Sequence, residues 1–216
     1  MTASPITIDV ISDVMCPWCL IGKRRLEKAL AAHPEIPVEV RWRPFQLDPT
    51  IPENGMSRKE YLENKFGAEG AKEAYDRIRE TGKADDIEFD FESIEKSPNT
   101  LNAHRLIRWA AAFNAQDAMV ERLFSLFFLE GEDLSDQDTL LNAAEDAGLE
   151  REVVERLLAG DADKDEVRQE IVTAGQMGVT GVPCFIVDQK YAVMGAQPSD
   201  VIAGAISKAH GERSAV

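Results

Sequence analysis

Residues 5–34 read PITIDVISDVMCPWCLIGKRRLEKALAAHP, and the fold turns on a change of period inside that stretch. Up to Ser12 the residues alternate, Ile6, Ile8 and Val10 against Thr7, Asp9 and Ile11, the two-residue period of a strand. Past Cys16-Pro17-Trp18-Cys19, residues Leu20, Ile21, Leu26, Ala29 and Leu30 recur at helical spacing until His33-Pro34 ends the run. Residues 37–43, PVEVRWR, alternate again. Strand, helix and strand in this order predict a parallel pair joined by a crossover helix. The two cysteines then sit where the first strand becomes the helix.

Working outward, Pro44, Pro49 and Pro52 mark an irregular passage up to Gly55. From Ser57 the apolar residues are periodic in the helical sense over 57–66, 68–82, 98–113, 116–129, 136–147, 150–159 and 163–177. Ser57 with Glu60 resembles a capping box, Ser135 or Asp136 caps the fifth segment, and Gly148 closes it. No strand pattern is expected in this block, which reads as an all-helical insertion. Strand character returns at CFIVD (184–188) and YAVMG (191–195), a hairpin joined through Gln189-Lys190. That pair is a poor two-residue turn, so a looser connection is expected. Gln197-Pro198-Ser199 opens a last helix to about His210, with GERSAV as a frayed tail. The organisation is α/β: residues 1–54 and 180–216 form one domain, and 55–179 are inserted into it.

Across 216 residues, 24 Lys and Arg stand against 39 Asp and Glu, a net charge of −15. That argues against nucleic acid or an anionic membrane surface as partner. The first apolar run is short, has no basic segment before it and is broken by Asp9 and Asp13, so it does not read as a signal peptide. No stretch is long enough to span a bilayer. A cytoplasmic, reducing location is expected, in which a close pair among three cysteines points to redox chemistry or metal binding rather than a disulfide scaffold.

At the junction Cys16 meets the unpaired N–H groups and positive dipole end of the helix, an environment that lowers a cysteine pKa from about 8.5 to between ~3.5 and ~7.5. Cys16 is therefore the expected nucleophile. Cys19, one helical turn on and more buried, would resolve a mixed disulfide formed at Cys16. Pro17 forfeits no hydrogen bond at the first helical position, and Trp18 offers a flat apolar surface. Two other readings are a zinc site and two structural thiols. Zinc needs two more ligands, and neither Cys184 nor His33, His104 and His210 supplies a second pair. In GVTGVPCFIVD (178–188), Val182-Pro183 precedes a strand, which suits either a cis peptide or an ordinary trans proline entering an edge strand.

Taken together, CPWC after the first strand, a helical block after the second, and GVP before the closing hairpin and helix resemble the DsbA family of the thioredoxin superfamily. The resemblance covers nearly the whole chain. SDVMCPWCLIGKRRLE, NTLNAHRLIRWA and VMGAQPSDVI are most similar to its cytoplasmic, FrnE-like branch. That branch is similar to the 2-hydroxychromene-2-carboxylate isomerases and kappa-class glutathione transferases, which bind glutathione and carry serine where Cys16 stands here. The resemblance implies a thioredoxin-like fold with a large helical insertion, and dithiol–disulfide exchange at Cys16 and Cys19. It implies a cis-proline loop at Val182-Pro183 and a substrate surface including Pro17 and Trp18. The alternative function is a glutathione-dependent isomerase or transferase of a small aromatic compound. Partners are thiol or disulfide substrates, protein or small; no cofactor is expected beyond glutathione as co-substrate, and the state is monomer or homodimer. NTLNAHR (99–105) faces the active site in those relatives, so His104 reads either as a substrate-facing, proton-transferring group or as an ordinary helix histidine. Lys23, Arg24 and Arg25 read as a solvated helix face, and Cys184 as a small buried residue or an extra functional thiol.

Overall fold

The computed structural model describes residues 4–214. Strand β1 (Ile6–Ser12), helix α1 (Pro17–Ala31) and strand β2 (Val38–Pro44) form the expected unit, with β1 and β2 parallel from Ile6 opposite Val38 to Ser12 opposite Pro44. Strands β5 (Cys184–Val187) and β6 (Tyr191–Met194) add antiparallel to the other side of β1, giving the order β2-β1-β5-β6. Alternation along β1 divides the core. Ile6, Ile8 and Val10 join the main cluster with Leu20 and Leu26 of α1 and Ile202 and Ile206 of α8 (Ser199–Ser214). Ile11 points the other way, into a small cluster with Ala174, Val179 and Cys184. The sheet is thus covered on both faces, as parallel pairing requires.

Between β2 and β5 lie α2 (Arg58–Lys83), α3 (Leu101–Ala110), α4 (Gln116–Phe128), α5 (Gln137–Asp146), α6 (Arg151–Leu158) and α7 (Lys164–Gln176). Helix α2 is broken at Gly67 (φ 73°, ψ 171°), where the sequence pattern separates two segments. Asp136 is the cap of α5, its carboxylate accepting from Thr139 N–H. Gly148 (φ 87°) closes that helix while Leu149 N–H reaches back to Ala144.

Five local expectations fail. The block is not purely helical: β3 (Met56–Ser57) and β4 (Lys96–Ser97) make a short antiparallel ladder, too brief to leave an alternating pattern. Ser57 belongs to that ladder and its side chain caps nothing, so no capping box forms. Lys96 and Ser97 are held in the ladder, so the third predicted helix begins only at Leu101, whose N–H is met by Asn99 Oδ1. The hairpin turns on Asp188 and Gln189, both left-handed (φ 53° and 56°), one position earlier than Gln189-Lys190. Aspartate tolerates that conformation, and Lys190 N–H closes the turn onto Val187 O. Nor does the tail fray at residue 211. Helix α8 continues to Ser214, because Arg213 binds the carboxylate of Asp188 and the carbonyls of Ser4 and Pro5. Ala215 and Val216 lie outside the described residues.

The basic run of α1 is not a solvated face either. Lys23 is 2% exposed, its ammonium among Glu27, Asp117 and Glu121. Arg24 chelates Glu121 of α4, and Arg25 binds the buried Asp85 and the Ala196 carbonyl. The run clamps α1 to its neighbours. Partial burial pushes the Glu121 carboxyl up, but the Arg24 hydrogen bonds and the Lys23 charge outweigh it and hold it at about 2. A carboxylate held below its unfolded value of 4.5 stabilises the fold above that pH, and the contribution is lost as pH falls toward 2. Because Glu121 is more than one-third exposed, the effect is screened to about 1 kcal/mol. Glu121→Gln should therefore melt lower than wild type at pH 6, and the two melting temperatures should converge by pH 2.

Candidate functional site

Ser12 and Asp13 end β1, and the chain then turns through Val14 and Met15 into α1. Cys16 is the N-cap residue of α1, extended at φ −94° and ψ 111°, and Pro17 follows at the first helical position. Cys16 N–H donates to the Asp13 carbonyl (3.0 Å) and Cys19 N–H to the Cys16 carbonyl (2.9 Å), which fixes the turn. No acidic residue occupies the first turn of α1.

Cys16, Cys19 and Cys184 are all free thiols and all buried. Cys16 and Cys19 interact directly, and burial followed by that interaction pushes the Cys19 thiol well above its usual range. The Val182–Pro183 bond is cis. Its loop lies against the cysteine turn: the Cys16 thiol points at the Val182 carbonyl, 3.8 Å away. Gly195 N–H holds the Pro183 carbonyl at 2.7 Å, tying the loop to β6. Pro17, Trp18 and Val182 are half-buried, so they frame the exposed rim of the pair, while Pro183 is buried. The Arg77 guanidinium lies over the Trp18 ring at 5.8 Å.

His104 is placed differently. It is 3% exposed, and its Nε2 donates to the Phe45 carbonyl at 2.8 Å, a carbonyl partner that fixes the proton on Nε2. The same nitrogen is 3.7 Å from Asp13 Oδ1. Asp13 is fully buried, and its other oxygen accepts Leu47 N–H at 2.7 Å. His104 therefore stands behind the cysteine turn, braced on the Asp13 loop. A cleft of about 550 Å³ lined by Trp42, Ile107, Trp109 and Phe113 lies beside His104 and includes none of the cysteines. Within the same segment, Arg105 turns away to cap α6. Cys184 sits opposite Ile11 in the sheet, and burial pushes its thiol up.

Four residues at the site were not singled out by the sequence pattern. Gly22 is where α1 meets the proline loop: a Cβ there would come within 2.8 Å of the Pro183 ring and 3.1 Å of Phe185. A glycine inside a helical period is a readable signal of close packing. Ser12 and Asp13 show only as polar residues at a strand end, which ordinarily means a surface loop. Arg77 had no signal at all. Among the described residues no group of three or more His, Cys, Asp or Glu could hold a metal ion, and no helix is long and apolar enough to cross a membrane.

The chain and its fold are similar to known proteins over nearly their whole length. A structure described as a probable DsbA oxidoreductase from Streptomyces coelicolor is similar over 96% of this chain and 91% of its own, at 34% identity and TM-score 0.88. An uncharacterized protein of Bacillus subtilis, YwbO, is 29% identical over 208 residues, covering 94% of this chain and 96% of its own. A 2-hydroxychromene-2-carboxylate isomerase shares the fold over 96% of this chain and 98% of its own, with TM-score 0.68 at 15% identity. The DSBA-like thioredoxin domain family matches residues 7–207, and with nearly the whole chain inside that match the protein belongs to it.

Proposed function

We propose that this protein is a thiol–disulfide oxidoreductase of the dithiol type, with Cys16 as nucleophile and Cys19 as resolving thiol. The observation that carries the reading is the asymmetry of the pair. Cys16 caps a helix with its sulfur at the Val182 carbonyl, beside the half-buried Trp18 and Val182. Cys19 lies one turn deeper, at 1% exposure, with its thiol pushed up by burial. An outer sulfur that meets substrate and an inner one that closes the ring are what disulfide exchange needs. Both sulfurs belong to the chain, so the reaction calls on no bound cofactor, and glutathione enters as a co-substrate. Trp18, Pro17 and the Val182 edge are the surface on which a protein or small thiol would rest, and His104 supports that surface through Asp13 and Phe45. A reducing, cytoplasmic setting belongs to the same reading, supported by a chain of 216 residues with only three cysteines, two of them a close pair.

The test is equilibration with glutathione buffers of graded potential, followed by trapping with a thiol-reactive mass tag. The expected result is a two-electron transition between free thiols and a Cys16–Cys19 disulfide, unchanged in Cys184→Ser and absent in Cys16→Ser. The midpoint then separates an oxidant, near roughly −120 mV, from a reductant, near roughly −270 mV. Glutathione binding without exchange, or isomerisation of an aromatic substrate that survives Cys16→Ser, would overturn the reading in favour of a glutathione-dependent isomerase.

A further inference from the structure

Ser12 is the last residue of β1 and is 5% exposed. Its backbone carbonyl accepts Phe45 N–H at 3.0 Å, but its hydroxyl has no hydrogen-bond partner. A buried hydroxyl left unsatisfied is uncommon and asks for a cause. The titratable group within its reach is the buried Cys19 sulfur. Burial is the largest influence on that thiol and raises it, and the neighbouring Cys16 sulfur adds to the rise; the Ser12 hydroxyl and the Asp13 backbone N–H act in the opposite sense. A neutral thiol is a weak acceptor and leaves the hydroxyl idle, whereas a thiolate is a strong one.

We propose that Ser12 is a positioning residue for Cys19, its hydroxyl donating to the sulfur whenever that sulfur carries negative charge. This role rests on the disulfide-exchange reading. In that reaction the Cys16 thiolate attacks one sulfur of a substrate disulfide, expelling the other as a thiolate. A mixed disulfide remains on Cys16. Cys19 gives its proton to the expelled thiolate and attacks the Cys16 sulfur. The Cys16–substrate bond breaks, and the second substrate sulfur leaves as a thiolate. Two protein thiols have become a disulfide, and the two electrons reside on the substrate. In the reverse direction a substrate thiolate attacks Cys16 and Cys19 departs as a thiolate. Both directions pass through a charged Cys19 in a buried place, where Ser12 and the Asp13 N–H are the donors at hand.

The experiment mixes reduced protein with glutathione disulfide, quenches with acid and follows the Cys16 adduct by mass, in Cys184→Ser background. The adduct is expected to be transient with Ser12 present. In Ser12→Ala, adduct formation should stay within about twofold, because Cys16 does not use Ser12, while resolution slows about tenfold, the scale of one hydrogen bond to a charged group. The pH midpoint of the resolving step should move up by about one unit. Ser12→Thr, which keeps a hydroxyl, should restore resolution. Ser12→Ala should melt no lower than wild type, since it deletes a hydroxyl that the thiol state leaves unsatisfied. Equal resolution rates in Ser12→Ala and wild type would overturn the role. So would a parallel slowing of both steps that Ser12→Thr does not relieve. A wild-type protein that forms no adduct and no internal disulfide fails differently, because it overturns the exchange reading and takes this role with it.

Discussion

Cys19→Ser should turn the protein from a turnover catalyst into a stoichiometric trap. Cys16 keeps its place at the start of α1 and its contact with Val182, so the first exchange with a disulfide proceeds. The second does not, because serine cannot displace a sulfur. Release must then wait for an external thiol. Well-oriented intramolecular reactions reach effective molarities of ~10⁵–10⁸ M, so even a small fraction of that advantage puts a millimolar external thiol at least about a thousandfold behind. The expected measurement is one glutathione per chain, located on Cys16 by peptide mass, with steady-state disulfide exchange reduced about a thousandfold or more. Cys184 bears on the control, not on the mechanism. It is held in a separate small cluster on the face of β1 that carries Ile11, so it should not rescue resolution. A Cys19→Ser protein that still turns over, and stops only when Cys184 is also replaced, would show that the sheet thiol reaches the site. Full turnover in the double variant would rule out the two-sulfur mechanism altogether.

The parts of this molecule that could be read in advance are those governed by periodicity. The β1-α1-β2 unit follows from Ile6, Ile8 and Val10 giving way to Leu20, Ile21 and Leu26, since strand and helix bury different spacings. The cysteine pair was legible because two sulfurs three residues apart at that junction have few other uses. Long-range pairing was not legible. Lys23, Arg24 and Arg25 look like solvent in a linear sequence, and only the approach of α4 with Asp117 and Glu121 shows that they are clamped. The β3–β4 ladder joins residues forty positions apart through two residues each, below any pattern. From Ile87 to Glu92 apolar and acidic residues alternate as in a strand, yet no strand forms, because rings hold the passage: Phe91 stacks on Tyr75 at 4.2 Å and Phe89 meets Phe128 edge-on. At the site itself, Ser12 and Asp13 differ from surface polar residues only in what the second sheet edge and the 44–47 loop do to them.

The same limit applies to Arg105, whose replacement should give the largest loss of stability in the chain. The resemblance places the NTLNAHR segment toward the active site, yet Arg105 is wholly buried on the opposite duty. Its Nε donates to the Ala162 carbonyl (2.7 Å), one terminal nitrogen to Asn102 Oδ1 (2.9 Å), and the other to Leu157 (2.5 Å) and Gly160 (2.8 Å). The Trp109 ring lies 5.0 Å from the guanidinium. The last carbonyls of α6 have no helical partners, and a cation there also meets the negative end of the helix dipole. Burial pulls the arginine pKa down, with Asp161, Asp163 and Glu53 acting against it through charge. Arg105→Met would bury a similar volume but leave the Gly160 and Ala162 carbonyls unsatisfied, each worth about 1–3 kcal/mol, while the Leu157 carbonyl keeps the Gly160 N–H. With partial relaxation the expected loss is about 3–5 kcal/mol, which at ~2–4 °C per kcal/mol for a chain of this size lowers Tm by roughly 10 °C or more. Arg105→Lys keeps the charge and a single donor head, so it should lose roughly half as much. Exchange activity per folded molecule should be unchanged in both, because Arg105 touches none of the cysteines. If instead Arg105→Lys melts with wild type and exchange collapses, the guanidinium serves the active site and the α6 cap is incidental. The sign is decided by geometry: four hydrogen bonds converge on a group with no exposed surface, and only a guanidinium carries enough donors in one plane to make them.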